Sequence, residues 1–191
     1  MKRLLIAVAM LFFVSPNTEQ LATADESTAA LKAALKAVPN VATKPDAKPP
    51  AVLPEIARAQ ATLLHDAMHT TLQVTHDRFY REDEGLIIPA AAMMEVFADL
   101  KQRQGITLRW LVVEGQAMNT DHVAQNDFEE AAVKALKSGK PAHEQIDNGV
   151  FRRAAPITLS NHCLKCHVPD RKHTRDRTAG LIIEIPIKTN A

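Results

Sequence analysis

Apolar residues recur at helical spacing after the proline at position 54. Pro54 suits the first turn of a helix, and no glycine interrupts the chain from there until Gly85. The apolar positions in this segment are Ile56, Leu63, Leu64, Met68, Leu72 and Phe79. Because a strand would alternate apolar and polar residues at every second position, this spacing predicts a long first helix.

Two further helices are predicted downstream. Residues 89–103 begin with a proline and end before Gly105, which suits the residue that follows a helix. Residues 127–138 (DFEEAAVKALKS) follow Asn126, carry acidic residues in their first turn and precede Gly139.

The remaining apolar runs predict strands. Residues 106–114 (ITLRWLVVE) are rich in β-branched side chains, and residues 179–187 (AGLIIEIPI) form an apolar run near the end of the chain. Between them, HEQI and VFRRAAPITL flank an Asn-Gly pair, which predicts a hairpin. This order of elements predicts an α+β domain built around an antiparallel sheet.

The N-terminus has the pattern of an export signal. A basic start (MKR) precedes an apolar run over residues 4–14 and a small-residue cleavage site, Ala22-Thr23-Ala24. We therefore predict a signal peptide at residues 1–24 and a periplasmic or otherwise exported bacterial protein. An uncleaved anchor is the alternative, because residues 15–24 are long for the region before a cleavage site and contain Glu19.

Composition separates a linker from a single domain. Residues 25–53 consist largely of Ala, Lys, Pro and Thr, with few large apolar groups, which predicts a disordered linker. The domain is then expected at residues 54–191. No later segment approaches the roughly 20 apolar residues of a transmembrane helix, so we expect no membrane span after cleavage.

Charge argues against a nucleic-acid partner. The chain has 23 basic and 22 acidic residues, and cleavage after Ala24 would remove Lys2, Arg3 and Glu19 and leave the two signs equal. A chain without net charge has no general attraction for nucleic acid or for an anionic membrane.

The only two cysteines of the chain lie in NHCLKCHVPDRKH. Cys163, Cys166 and His167 have the Cys-x-x-Cys-His spacing of c-type haem attachment, in which both thiols add to the porphyrin and the histidine binds the iron. The predicted cofactor is one covalent haem c. Covalent attachment takes place outside the cytoplasm in bacteria, in agreement with the signal peptide.

Two other interpretations of the motif stay open. A zinc site would need a fourth ligand beside Cys163, Cys166 and His167, either His162 or His173. A redox-active dithiol would normally begin a helix after a strand in a βαβ unit, which this region does not resemble.

The sixth position of a haem iron decides between electron transfer, sensing and catalysis. His65, His69 and His76 fall within roughly 60° of one another on the first helix, together with Leu72, and Met68 flanks this stripe. They could instead be partly exposed histidines of an amphipathic helix, and the His65/His69 pair could bind zinc or copper. Met118 and His122 are further candidates for the iron.

Basic residues near the motif are candidates for the haem propionates. Arg152 and Arg153 lie on the predicted strand before the motif, on opposite faces, so at most one of them is expected to pair directly. The later run RKHTRDR is either a second such group or a solvated loop.

The segments NDFEEAAVKAL, VFRRAAPITLSNHCLKCH and AGLIIEIPI resemble a family of exported c-type haem domains with a PAS-like fold, long catalogued as a domain of unknown function. The resemblance covers about residues 56–187. It implies a haem pocket between an N-terminal helix and the sheet, with the second iron ligand on that helix. His69 is our first choice for that ligand, with Met68, His65 and His76 as alternatives. Cysteine serves in some relatives, but both cysteines here belong to the attachment motif.

The resemblance leaves three functions to compare. We expect an exported monohaem cytochrome that transfers electrons to a redox partner protein and is not an enzyme. A haem-based redox or gas (NO/CO) sensor is the alternative; since the chain ends just after its last predicted strand, it would signal through a partner. A peroxidase-like enzyme is the third. Long N-terminal helices on PAS-like domains often pair with a second copy, so a homodimer is also consistent with the resemblance.

Overall fold

The computed structural model describes residues 51–117 and 119–188, without the side chain of Glu82. That part of the chain forms a sheet with helices packed on both faces. The helices are α1 (Pro54–Phe79), α2 (Pro89–Gln104), α3 (Asp127–Lys137) and α4 (Asn161–His167). The strands are β1 (Thr107–Leu111), β2 (His143–Asp147), β3 (Val150–Leu159) and β4 (Arg177–Pro186). Short 3-10 turns lie at Glu82–Glu84 and Thr120–His122.

The four strands pair antiparallel in the order β1-β4-β3-β2. The two longest strands, β3 and β4, form the centre and pair over their whole length. Asn148 and Gly149 join β2 to β3 with φ angles of 49° and 74°, as a two-residue hairpin with two positive φ angles requires. The predicted α+β fold with an antiparallel sheet and a long N-terminal helix is confirmed.

Successive residues of the strands point to opposite faces of the sheet, and apolar side chains form a hydrophobic core on each face. Ile183 of β4 belongs to the core beneath α1 and α2, whereas its neighbour Ile182 belongs to the core beneath α3. On the first face, the Phe97 and Trp110 rings lie 5.0 Å apart, and Trp110 donates its indole N–H to the Ala90 carbonyl. The fully buried residues of α1 are alanines, Ala57 and Ala61, so this helix lies close to the sheet.

Val52 and the end of β1 lie differently from the sequence prediction. The prediction ends the linker at residue 53, whereas Val52 already forms a bridge with Ile187 and takes part in the domain. The strand predicted for residues 106–114 ends at Leu111, because the Val112 N–H turns away to the His122 carbonyl.

The predicted signal peptide and the predicted linker up to residue 50 lie outside the described residues. Within the described ranges, no helix combines the length and apolar character needed to cross a bilayer.

Candidate cofactor-binding site

The attachment motif forms a short helix, α4, directly after the central strand β3. Leu164, inside the motif, is completely buried and anchors the helix to the domain. Since helical residues three apart lie on one side, Cys163 and Cys166 share a face. Both thiols are free, with Cys163 half-buried and Cys166 exposed.

Both cysteines and His167 line a cavity of about 570 Å³. Its walls come from α1, the start of α2, the sheet and α4. Apolar side chains of these walls are Leu72, Ile88, Met94, Trp110, Ile157 and Leu159. The size and mainly apolar character are those of sites that bury a small organic ligand.

His167 is held through its own main chain. The Gln116 N–H donates to the His167 carbonyl at 2.8 Å, and Gly115 lies so close that a Cβ there would be 2.8 Å from the same oxygen. Burial lowers the pKa of the His167 imidazole, and repulsion from His122 and then His76 lowers it further. A neutral imidazole is the form that binds a metal ion.

The three histidines on one face of α1 have different surroundings in the structure. His65 is buried, with Nε2 donating to the Pro156 carbonyl and Nδ1 next to the Asp66 carboxylate, both at 3.0 Å. His69 accepts the Thr158 N–H at its Nε2. Neither lines the cavity, and neither does Met68, which packs against the core. A helical wheel shows the shared face but not where along the helix the cavity lies.

His76 is the member of the stripe that reaches the cavity, together with Leu72. Its Nδ1 is buried and has no hydrogen-bond partner among the described residues. Its ring centroid lies 6.1 Å from that of His162 in the motif and 5.1 Å from that of Tyr80. Burial, followed by repulsion from His162, lowers its pKa. The cavity therefore meets the stripe at His76, which the sequence ranked last as a ligand, and not at His69, which it ranked first.

His122 also lines the cavity, from the 3-10 turn after β1. Burial lowers its pKa, and the neighbouring Arg109 adds to this effect. The sequence named this histidine as a further candidate for the iron, but the hydrogen bond from the Val112 N–H to its carbonyl, which helps to place it at the cavity, is not visible in the sequence. The other loop candidate, Met118, lies outside the described residues.

Arg152 and Arg153 lie on opposite faces of the sheet, as alternation predicts, but neither lines the cavity. Arg152 pairs with Glu184 at 3.1 Å and lies over the Phe128 ring on the α3 side. Arg153 pairs with Glu144 on β2. The structure thus places both guanidinium groups in ion pairs outside the cavity lining. The basic side chains that do line the cavity are Arg81 and Lys165.

The residues present fit a covalently attached haem. They offer two free thiols on one face, a histidine beside them, a second histidine with an unpartnered ring nitrogen, and apolar walls. The alternative zinc site lacks this support, since no three His, Cys, Asp or Glu side chains of the described ranges are grouped to hold a metal ion.

Comparison with known proteins agrees with the family resemblance seen in the sequence. Among solved structures, the chain is similar to one titled "Crystal structure of the cyanobacterial heme-protein Tll0287", at 16% sequence identity and a TM-score of 0.47, covering 72% of this chain and 98% of that one. No curated protein matches. A family model described as Tll0287-like matches residues 50–181. Since this match spans more than half of its length, the chain belongs to the Tll0287-like family.

Proposed function

We propose that the protein is an exported monohaem c-type cytochrome that transfers electrons. The observation that carries the proposal is the position of Cys163, Cys166 and His167 on one short helix at an apolar cavity. The chain belongs to the Tll0287-like family, and the solved protein Tll0287 is titled a heme-protein. Export is inferred from the signal pattern of residues 1–24.

Cys163 and Cys166 would hold the cofactor by two thioether bonds. Each S–H would add across a vinyl C=C of the porphyrin, so that one carbon would gain sulfur and the other hydrogen, with no oxidant consumed. Because Cys163 is half-buried and Cys166 is exposed, the edge of the porphyrin that they hold would lie at the protein surface. A surface position favours electron exchange with a partner protein without any large movement.

His167 would be one protein ligand of the haem iron, because it directly follows the second cysteine. His76 is the best-supported second ligand, because it lines the cavity and its imidazole is not used to attach α1 to the sheet. His122 is the next candidate, since it lines the same cavity. When bound, haem supplies a one-electron redox centre, and two histidine ligands favour a lower reduction potential than a His/Met pair.

Optical spectra of the reduced protein with and without CO test the proposal. Electron transfer with two strong protein ligands predicts a low-spin spectrum in both oxidation states that CO does not change. Rapid and tight CO binding would contradict it and favour gas sensing. A high-spin oxidised resting state would favour a peroxidase-like enzyme.

A further inference from the structure

The second half of β3 lacks a neighbouring strand on one side within the described residues. Strand β2 pairs with β3 only as far as His143 and Ala154, whereas β3 continues to Leu159. The Ile187 N–H donates to the Gly149 carbonyl. Since every second residue of an antiparallel strand hydrogen-bonds to the same neighbour, Gly149 and the odd-numbered residues of β3 face β4. Pro156 and Thr158 therefore direct their main-chain polar groups to the side without a strand.

Three side chains of α1, each four residues apart, lie against these groups. His65 donates to the Pro156 carbonyl at 3.0 Å, and His69 accepts the Thr158 N–H at 3.2 Å. Gln73 donates to the Thr158 carbonyl at 2.7 Å. We call His65, His69 and Gln73 the helix ladder. It takes over, through side chains, the hydrogen bonds that a further strand would make.

The helix ladder joins two elements that carry the proposed iron ligands. His76 follows Gln73 by three residues, which is less than one helical turn. On the strand side, β3 ends at Leu159 and α4, with Cys163 and His167, begins two residues later. The position of α1 against β3 consequently fixes the position of His76 against the attachment helix.

Apolar packing alone specifies this position weakly. The fully buried side chains of α1 are those of Ala57 and Ala61, whereas Leu64, Met68 and Leu72 pack against the same core only partly buried. Hydrophobic contact of either kind is not directional. Hydrogen bonds to fixed main-chain atoms are directional. A slip of α1 by one turn would move His76 by about 5.4 Å and out of reach of an iron atom.

We infer that His69 and Gln73 are positioning residues that hold His76 at the haem site, although neither touches the cofactor. This inference rests on the proposed function and deepens it. It also gives the His69 imidazole a role that needs an acceptor at Nε2 and no bond to iron.

The test compares holoprotein variants by optical spectrum and midpoint potential. His69→Leu removes the acceptor for Thr158 and should lose most of the low-spin signal and shift the potential, while keeping covalent haem. His69→Gln restores an acceptor oxygen and should restore most of both. Gln73→Leu, a milder change, should shift the potential in the same direction as His69→Leu. Thr70→Ala, on the exposed side of α1, is the matched control.

The outcomes separate the possibilities. The inference is overturned if His69→Leu lowers thermal stability but leaves spectrum and potential unchanged, or if His69→Gln is as defective as His69→Leu, as expected of a direct ligand. If His69→Leu does not fold, an unchanged potential in Gln73→Leu overturns it. A wild-type protein without covalent haem would contradict the proposed function itself.

Discussion

The carbonyl oxygen of His167 lies 2.8 Å from the position that a Cβ on Gly115 would occupy. Gly115 also has a φ of +86°, which side-chain-bearing residues rarely adopt. The chain between β1 and α3 therefore approaches the proposed iron ligand more closely than any other residue type would allow.

Gly115→Ala should displace His167 as well as destabilise the protein. The positive φ costs about 1–2 kcal/mol for alanine, and the contact with the His167 carbonyl adds about 1–3 kcal/mol. Gly139→Ala is the matched control, because Gly139 has a φ of +82° but nothing within 4 Å of its Cβ position. We expect denaturant unfolding to show the larger loss in Gly115→Ala, with a changed haem spectrum only there. Equal losses and equal spectra would refute a role for this contact.

His76→Ala should remove the second iron ligand. The expected result is loss of most of the low-spin signal and the appearance of CO binding, with covalent haem retained. His76→Met should give a higher midpoint potential than the wild type, because thioether sulfur favours reduced iron. If His122→Ala has these effects and His76→Ala does not, the ligand is His122.

The helix ladder should weaken in mild acid. Burial, and then repulsion from His65, hold the pKa of His69 below 6.5 in the folded protein, with Asp66 acting in the opposite direction. The unfolded chain therefore takes up the proton more readily than the folded protein. The stabilisation by neutral His69 is complete above about pH 6.5 and is lost as the pH falls through the pKa of the folded state.

Unfolding free energies at about pH 7.5 and about pH 5.5 measure this effect. The wild type should lose more stability over this interval than His69→Gln, whose amide does not titrate. His76, His122, His167 and His173 also have lowered pKa values, but they are present in both proteins and cancel in the difference. Parallel curves for the two proteins would show that His69 titration does not affect the fold.

Arg152→Met and Arg153→Met should leave the haem spectrum and potential unchanged. Their guanidinium groups pair with Glu184 and Glu144 and lie away from the cavity. A changed potential in either variant would revive the assignment of these arginines to the haem propionates.

The order of helices and strands follows from the sequence because local signals carry it. The prolines that begin α1 and α2, the Asn126 cap of α3 and the Asn-Gly turn all act within a few residues. The attachment motif is likewise complete within five residues. These features need no knowledge of which elements pack together.

The sequence alone could not rank the candidates for the second iron ligand, because their distance from the cavity depends on long-range packing. His65 and His76 share a helical face but lie about 16 Å apart along the axis, and only the placement of α1 on β3 decides which one meets the cavity. Gly115 and His122 likewise reach the site through contacts with distant residues, His167 and Val112. Residue spacing along the chain does not encode these contacts.

Covalent attachment of haem through Cys163 and Cys166 is the central claim. The direct measurement is the mass of the purified, exported protein under denaturing conditions, with haem staining of a denaturing gel. We predict that the wild type carries the mass of one haem and stains, and that the Cys163→Ser, Cys166→Ser double variant does neither. An unmodified mass in the wild type, or haem retained on the double variant after denaturation, would contradict the claim.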